Sequence, residues 1–490
     1  MFLPRSDYQI IGRDDVRDGS AAGIDGNRTG VSDKGTGISG RGTDAFCSGA
    51  DTSGSGCMET LQYDVGTESC AGAKAAADGH HVFRFAGDRE ALKREMYESL
   101  AEYTGKRPRW GILTGIRPVK LAGEICDSLG SMERTGDVLR DKYLMSPDKR
   151  ALVLDILDYQ RRLIGKPESG KLSVYVGIPF CPTRCLYCSF TSNQVEKPEI
   201  EAYLEALHRE ISCCGESAAR SGYKVESLYI GGGTPTTLDE EQLSALLKEL
   251  KESFDLTELK EFCVEAGRPD TITPEKLDIM RNMGVDRISV NPQTMKQKTL
   301  DILGRAHTVK QTGEAFDMAA GSHIGCVNSD LIAGLPGESL DDFKGSLRMV
   351  MEAGADNITL HTLAVKRASR LIEIDEEYNY RREGACMSML EYAHETLRDH
   401  GYRPYYLYRQ KHTSGSTENV GFCRDDKASV YNIRIMEEAQ SILAMGAGGI
   451  SKVYFPEENR LERVANVSNY QIYIDRIDEM IERKEKNFWR

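Results

Sequence analysis

The sequence predicts an α/β fold: a partial (β/α)6 barrel core, with a helical domain before it and an α+β extension after it. Two observations carry that expectation. From Lys171 to about Val365, six short β-rich runs alternate with amphipathic helical stripes, the pattern of a parallel sheet joined by right-handed crossovers. The glycines and polar residues of this stretch gather where the runs end, and in such sheets chemistry sits at the C-terminal ends of the strands.

In chain order, residues 13 to 81 are dominated by Gly, Ser, Asp, Thr and Ala, with runs such as Gly35-Thr-Gly-Ile-Ser-Gly-Arg-Gly-Thr43. Such a segment cannot bury enough apolar surface to offset its ordering entropy, so residues 1–81 are expected to be largely disordered. Cys47, Cys57 and Cys70 lie within it, too far apart for a metal motif. Order is expected from Val82. Asp88 can cap a helix reaching about Tyr103, with Ala91, Leu92, Met96 and Leu100 at helical spacing. Trp110 to Lys120 follows, punctuated by Gly111, Gly115 and Pro118. Its Arg117 and Lys120 suit either the docking of a carboxylate or a solvated helix–helix turn. Ser146-Pro147-Asp148 supplies an N-cap, a first-turn proline and an early acid for a helix with Leu152, Ile156 and Leu163 on one face. Residues 82–168 thus read as the helical domain, with 165–170 as its linker.

The six runs of the core, residues 169–365, are Val174 to Ile178, Ser227 to Ile230, Glu261 to Glu265, Arg287 to Val290, Asn328 to Ile332 and Asn357 to Leu363. Between the first two lies a stripe of Ile200, Tyr203, Leu204, Leu207, Ile211 and Cys214; Leu243, Leu246, Leu247, Leu250 and Phe254 mark the next. Thr273-Pro274 and Ser339 open further helices. Cys213 and Cys214 are adjacent on a helix, cannot both face one site, and read as core or surface thiols. Residues 366–490 mix helices with a short β-rich patch at Lys452 to Phe455 and end in one charged helix, Gln471 to Lys486. This extension is expected to close one side of the open barrel.

The chain has 490 residues, more than one hydrophobic core normally supports. With 63 basic and 76 acidic residues its net charge is −13, which argues against a sequence-independent nucleic-acid or anionic-membrane binder. No stretch approaches a membrane span, and the N-terminus lacks the pattern of a secretory signal, so a cytoplasmic location is expected. Thirteen cysteines without framework spacing read as reduced thiols plus one metal site.

That site is the loop after the first run, where Cys181, Cys185 and Cys188 form C-x3-C-x2-C. Three soft thiolates suit an iron–sulfur cluster, and four irons with three protein ligands leave one iron open. A zinc site would need a second ligand pair, and none follows within reach; a redox pair of Cys185 and Cys188 would leave Cys181 unexplained. Run two ends in Gly231-Gly-Gly-Thr-Pro-Thr236, where the backbone can approach a ligand closely. Run three ends at Glu265, run four in Asn291-Pro-Gln293, and run five carries Asp330 before Gly334-Leu-Pro-Gly337.

The array Y-x-x-I-P-F-C-x3-C-x2-C, G-G-G-T-P-T, the acid on run three, a Gln followed by an Arg, and D-L-I-x-G-L-P resembles the oxygen-independent coproporphyrinogen III oxidase group of radical S-adenosylmethionine (SAM) proteins. The likeness covers residues 172 to 365. It implies a radical SAM barrel in which Cys181, Cys185 and Cys188 bind a 4Fe-4S cluster, while Tyr175, Gly232 and Glu265 contact the SAM on its open iron. Gly233, Thr234, Gln293, Arg305, Asp330 and Ala364 match SAM-contacting positions, in part for a second SAM molecule, and Tyr187 matches an aromatic position. Outside that core, T-G-I-R-P-x-K at 114 to 120, Tyr405 to Lys411, Glu418 to Gly421 and Gly446 to Lys452 resemble the HemZ-type branch, which places Ile450 near SAM. Phe190 stands where HemN-type enzymes carry a further cysteine, as in the HemW-type haem-chaperone branch; the H-N-x-x-Y-W motif usual in that branch is missing.

The resemblance implies an enzyme of porphyrin and haem biosynthesis. A flavodoxin- or ferredoxin-type donor reduces the cluster, SAM yields methionine and a 5′-deoxyadenosyl radical, and a propionate of coproporphyrinogen III becomes a vinyl group. Its carboxylates call for cations, for which Arg184, Arg268, Lys366, Arg367 and Arg409 are candidates. Two alternatives stand beside it: a haem-binding chaperone, which would need a ligand such as His307, His323 or His361, and a radical SAM enzyme acting on another substrate.

Overall fold

A computed structural model of the chain describes residues 8–11, 59–66, 80–87, 89–188, 192–364, 383–410 and 417–489. They fall into two compact units, Met1–Ile112 and Leu113–Arg490. In the first, β1 (Tyr8–Ile11), β2 (Glu59–Gly66) and β3 (His80–Gly87) pair antiparallel and are followed by α1 (Arg89–Thr104). β1, β2 and the start of β3 are the described residues within the segment 1–81 that composition marks as largely disordered. Leu61, Tyr63 and Val65 alternate with polar neighbours, a period-two pattern that the averaged composition of the segment conceals. Asp88, Cys47, Cys57 and Cys70 lie outside the described residues.

The second unit is built on an 11-stranded sheet in the order β10-β11-β9-β8-β7-β6-β5-β4-β12-β13-β14. Its centre is the expected parallel array: β4 (Lys171–Ile178), β5 (Lys224–Gly232), β6 (Glu261–Val264), β7 (Arg287–Ser289), β8 (Cys326–Ala333) and β9 (Asn357–Thr362), each paired with the next. The helices between them are α5 (Lys197–Arg220), α6 (Glu240–Ser253), α7 (Pro274–Asn282), α8 (Gln297–Leu303), α9 (Val309–Gly321) and α10 (Leu340–Glu352). Four of these open on capping boxes, Glu196/Glu199, Asp239/Gln242, Thr308/Gln311 and Ser339/Asp342. Each box satisfies first-turn amides locally, so the helix starts clear of the preceding strand tip.

The helical domain expected at 82–168 is not a separate body. Residues from Leu113 onward, with α2 (Pro118–Leu129), α3 (Met132–Asp141) and α4 (Pro147–Leu163), belong to the sheet unit. The reason is α4, whose Gln160 Nε2 donates to Tyr405 O at 2.8 Å and whose Tyr159 Oη donates to Asp426 at 2.9 Å.

The C-terminal extension also departs from expectation. It contributes five strands rather than one patch, and it builds on both edges of the parallel array. β10 (Arg403–Arg409) and β11 (Glu418–Cys423) continue the sheet beyond β9; β12 (Ser441–Met445) runs parallel to β4 and is followed by β13 (Ile450–Phe455) and β14 (Arg460–Ala465). β11 and β12 are buried along their whole length, so neither shows the alternation that marks a half-exposed strand. The terminal helix is two, Tyr470–Asp475 and Ile477–Asn487, parted at Arg476.

Two buried acids fasten this extension to the core. Glu261 on β6 accepts from Val430 N at 2.9 Å, Tyr431 N at 3.2 Å and Ser429 Oγ at 3.0 Å, seating the N-terminus of the helix Val430–Glu437 under the sheet. Glu226 on β5 holds the fully buried Arg434 through two bonds of 2.8 and 3.1 Å. Burial alone would raise the Glu226 carboxyl, but bonds from Arg434, Lys260 and Gln440 outweigh it and hold it at about 2. Replacing Glu226 by leucine leaves a buried guanidinium without its main partner. The expected loss is about 3–5 kcal/mol of unfolding free energy in denaturant titration.

Candidate functional site

The chemistry-bearing residues meet at the C-terminal ends of β4 to β9. β4 delivers the chain to Phe180, which bridges Asn193; Cys181 N donates to Asn193 O at 3.0 Å, and Leu186 N to Leu303 O at 3.0 Å. The loop from Cys181 to Cys188 is thus pinned at its root and at its middle. Leu186 and Tyr187 pack on Leu303, Ile332, Leu335 and Leu363, the apolar ends of α8, β8 and the chain beyond β9. None of the three thiols is in a disulfide; Cys185 is buried, and Cys181 and Cys188 are partly exposed. Burial raises the Cys181 thiol to about 11, and the neighbouring Cys188 and Cys185 add to the rise; Thr234 Oγ1, at 3.4 Å, opposes it.

Arg305 braces this loop from below. Its guanidinium donates to Tyr187 Oη at 3.0 Å, Gly267 O at 3.3 Å and Asn291 O at 2.6 Å, and lies 3.7 Å from Cys185 Sγ. One side chain therefore ties the cysteine loop to the tips of β6 and β7. Across from it the glycine run closes in. Gly232 has φ +113°, and a side chain at Gly233 would put its Cβ 2.5 Å from Phe180 O and 2.9 Å from Cys181 Sγ. Backbone can pass so close to the thiol loop only without a Cβ.

Beside the glycines, Glu265 faces the interior of the strand ring. Its N–H bonds Ile230 O at 2.9 Å, and Tyr229 Oη donates to its carboxylate. Burial pushes the Glu265 carboxyl up to about 7, with Asp330 adding to the rise and Tyr229, Gly232 and His361 opposing it. Beneath it lies a stack of three phenols. Tyr229 and Tyr431 rings lie 4.4 Å apart, and Tyr175 is 6.3 Å from Tyr229 and 6.2 Å from Tyr431.

Gln293 is held at φ +70° by a parallel bridge to Leu331, its N–H on Asp330 O at 3.0 Å. Asp330 accepts from Asn328 Nδ2 at 2.9 Å and lies 3.6 Å from His361 Nε2. Tyr187, Gly233, Thr234 and Arg305 thus stand at the thiol loop, Tyr175 and Gly232 lie beside Glu265, and Gln293 is bonded to Asp330, with Ala364 just past β9. Ile450 opens β13, directly after the turn 446–449 that follows β12, and is 49% exposed. Phe190, Lys366 and Arg367 lie outside the described residues. Two cations expected to face a substrate are engaged with protein groups, Arg268 in part with Thr183 Oγ1 on the thiol loop itself. Arg268 pairs with Asp270 at 2.7 Å, and Arg409 donates to Leu113 O at 2.8 Å. Arg184 is exposed on the thiol loop.

Sequence reasoning missed Tyr229, Tyr431, Tyr408 and the pairing of His361 with Asp330. Tyr229 was legible in principle, since it is an interior-parity residue on β5 in register with Tyr175. Tyr431 was not, because it arrives from a helix far along the chain.

Among the described residues no three His, Cys, Asp or Glu side chains converge on one point as a single metal ion requires. A multi-iron cluster instead takes one thiolate per iron and spreads its ligands further apart. The donor set and its surroundings fit such a group. Three sulfurs lie on one loop, a glycine cradle adjoins them, and Arg305 Nε and Asn291 Oδ1 are buried without a partner.

Two outcomes follow from this geometry. Gly233→Ala forces Phe180 and Cys181 aside, and a loss of about 1–3 kcal/mol is expected in denaturant unfolding, as for other overpacked positions. The Glu265 carboxyl is raised in the folded state from its ordinary value of 4.5 to about 7. The stability it contributes is complete below pH 4.5 and is lost as pH rises through about 7. The stability of Glu265→Gln should therefore fall less than the parent's across that window, measured by thermal unfolding of the metal-free protein.

Comparison with known proteins is consistent with this geometry. Residues 175–350 match the model of the Radical SAM superfamily. The oxygen-independent coproporphyrinogen-III oxidase-like protein HemZ of Bacillus subtilis is 38% identical over 79% of this chain and 78% of its own. The heme chaperone HemW of the same organism is 35% identical over 40% of this chain, a match spanning 51% of that relative. Among solved structures, coproporphyrinogen III oxidase (HemN) from Escherichia coli superposes with a TM-score of 0.51 at 24% identity, over 64% of this chain and 70% of that one, which shows the shared fold. The chain therefore belongs to the radical SAM superfamily, and within it to the HemZ-type branch of the oxygen-independent coproporphyrinogen-III oxidase-like proteins.

Proposed function

We propose that this chain catalyses the oxidative decarboxylation of coproporphyrinogen III propionates to vinyl groups, giving protoporphyrinogen IX in porphyrin and haem biosynthesis. The observation that carries this reading is the thiol loop and glycine cradle set over an interior ring that holds Glu265, Asp330 and stacked phenols. Cys181, Cys185 and Cys188 would hold the 4Fe-4S cluster. Tyr175, Gly232 and Glu265 would hold the SAM bound to it, with Gly233, Thr234, Gln293, Arg305, Asp330 and Ala364 available to a second SAM molecule. When bound and reduced by a flavodoxin- or ferredoxin-type donor, these groups supply the one-electron chemistry that removes a hydrogen atom from a propionate.

This chain's own residues orient and shield. Arg305 keeps the thiol loop from drifting by bonding three acceptors on three segments. The stack of Tyr175, Tyr229 and Tyr431 seals the interior from below and excludes water. Glu265 and Asp330 give the interior an acidic character that suits the positive charges of SAM. The propionate loses a hydrogen atom, CO2 and one electron overall, so no general base is required at its carbon. No helix among the described residues is long and apolar enough to cross a membrane, consistent with a small-molecule substrate met in the aqueous phase.

A haem-chaperone role would need an accessible axial ligand. His307 is fully buried, His361 has Tyr408 at one nitrogen and Asp330 beside the other, and His323 is exposed in the turn before β8, on the opposite side of the sheet. The enzyme reading is therefore preferred. Reconstituted, anaerobically handled protein should contain iron and sulfide at cluster stoichiometry, release methionine from SAM and form vinyl product from coproporphyrinogen III. Serine at any of the three cysteines should abolish all three. Stoichiometric haem binding without vinyl product would point to the chaperone instead, and SAM cleavage with neither would point to another substrate.

A further inference from the structure

Two of the motifs that the sequence sets outside the core, 114 to 120 and 446 to 452, meet in space at one carboxylate. Glu438 follows the helix Val430–Glu437 and is 8% exposed. Arg117 Nη1 lies 2.9 Å from its Oε1, Arg463 Nη2 3.2 Å and Lys452 Nζ 3.4 Å, while Lys120 Nζ is 3.5 Å from its Oε2. Of the two roles open to Arg117 and Lys120, the docking of a carboxylate is the one they take.

One carboxylate does not neutralise this group. Among the described residues its other acid is Glu124, 3.9 Å from Lys120, so four positive charges face two negative ones. Arg117 Nε is buried without a partner among the described residues. Burial lowers the Lys452 ammonium to about 8, and Arg117 and Arg463 add to the fall while Glu438 opposes it. Helix α2 begins inside the cluster. Arg117 is its N-cap and Lys120 lies in its first turn, which holds no acid and receives no side-chain cap. The positive end of the helix and the four side chains thus act at the same place. Solvent reaches it from one side: the Arg463, Lys120 and Arg117 side chains are 55%, 24% and 21% exposed, with Lys452 at 10% as the floor.

The cluster stands at the other end of the sheet from the thiol loop. Lys452 pairs with Ile442 near the start of β12, whereas the thiol loop leaves the end of β4, and these two strands run parallel.

We propose that Arg117, Lys120, Lys452 and Arg463 form a second binding site, for a phosphate or pyrophosphate group, with Glu438 as the internal counter-ion that holds the cations together. A compact anion of two or more charges matches the surplus of two. Its several oxygens can accept from guanidinium forks and ammonium groups arriving from different directions. This site is independent of the porphyrinogen reading.

Isothermal titration of the full-length protein with inorganic pyrophosphate, and separately with ADP, without divalent cations, tests it. The parent should bind pyrophosphate with a dissociation constant below about 1 mM. Arg463→Gln and Lys120→Gln should each weaken it about tenfold, the worth of one charge-assisted hydrogen bond. Lys248→Gln, the same charge change at an exposed position on α6, should stay within about twofold of the parent. Pyrophosphate should raise the melting temperature of Glu438→Gln by more than the parent's, because it replaces the lost counter-ion; an equal rise overturns the counter-ion role. ADP binding tighter than pyrophosphate assigns the group to a phosphate ester, and equal or weaker binding assigns it to the free ion. Far-ultraviolet circular dichroism confirms that each variant is folded. Absence of binding by the folded parent at millimolar pyrophosphate, or an affinity in Arg463→Gln that matches Lys248→Gln, overturns the site and leaves the porphyrinogen reading in place.

Discussion

The arrangement depends on a single buried guanidinium. Arg305 has no periodic structure of its own to rely on, yet it reaches the thiol loop, the tip of β6 and the tip of β7 at once. A planar, permanently charged fork is suited to that task, because several acceptors can be satisfied in one fixed plane without a proton being lost. The thiol loop is otherwise a short irregular segment whose position would follow from little more than two backbone bonds and the packing of Leu186 and Tyr187. With the guanidinium beneath it, the loop becomes part of the rigid sheet end.

The second constraint is that an open parallel sheet must be finished at both edges. A row of unpaired backbone groups along β4 or β9 would invite association with another chain. The C-terminal extension meets this by pairing β12 with β4 and β11 with β9. The same extension carries Tyr431 under the ring and Tyr408 beside it, so edge protection and site construction are one structural event. The loop after β12 is tied in through Glu210, which accepts from Gly446 N at 2.8 Å and binds Lys484 of the terminal helix at 2.5 Å. The far end of the chain thereby steadies the strand tips.

Electrostatically the interior is acidic and phenolic rather than basic. Glu265 and Asp330 face one another across a ring in which burial has already raised the carboxyl of Glu265. Such a lining favours cationic occupants and makes each neutral donor valuable, because a carboxylate entering it finds few N–H groups to meet. Among the described residues, Arg434, Arg287 and Arg268 hold backbone and acids together.

The central array was legible in the sequence because each feature there is local. A strand read from five or six residues, a capping box within four and a C-x3-C-x2-C loop are properties of short stretches, and all of them stand where the sequence placed them. Gly232, Gly233, Thr234 and Glu265 were legible for the same reason, since a strand tip fixes which residues follow it. What only the tertiary structure decided are the long-range meetings: five strands of the extension laid on two different edges, Tyr431 stacked on Tyr229, Tyr408 bonded to His361, and α4 joined to β10. Composition averages and periodicity describe which face of an element is buried. They do not say which partner covers it, because that choice is made by packing across hundreds of residues of chain.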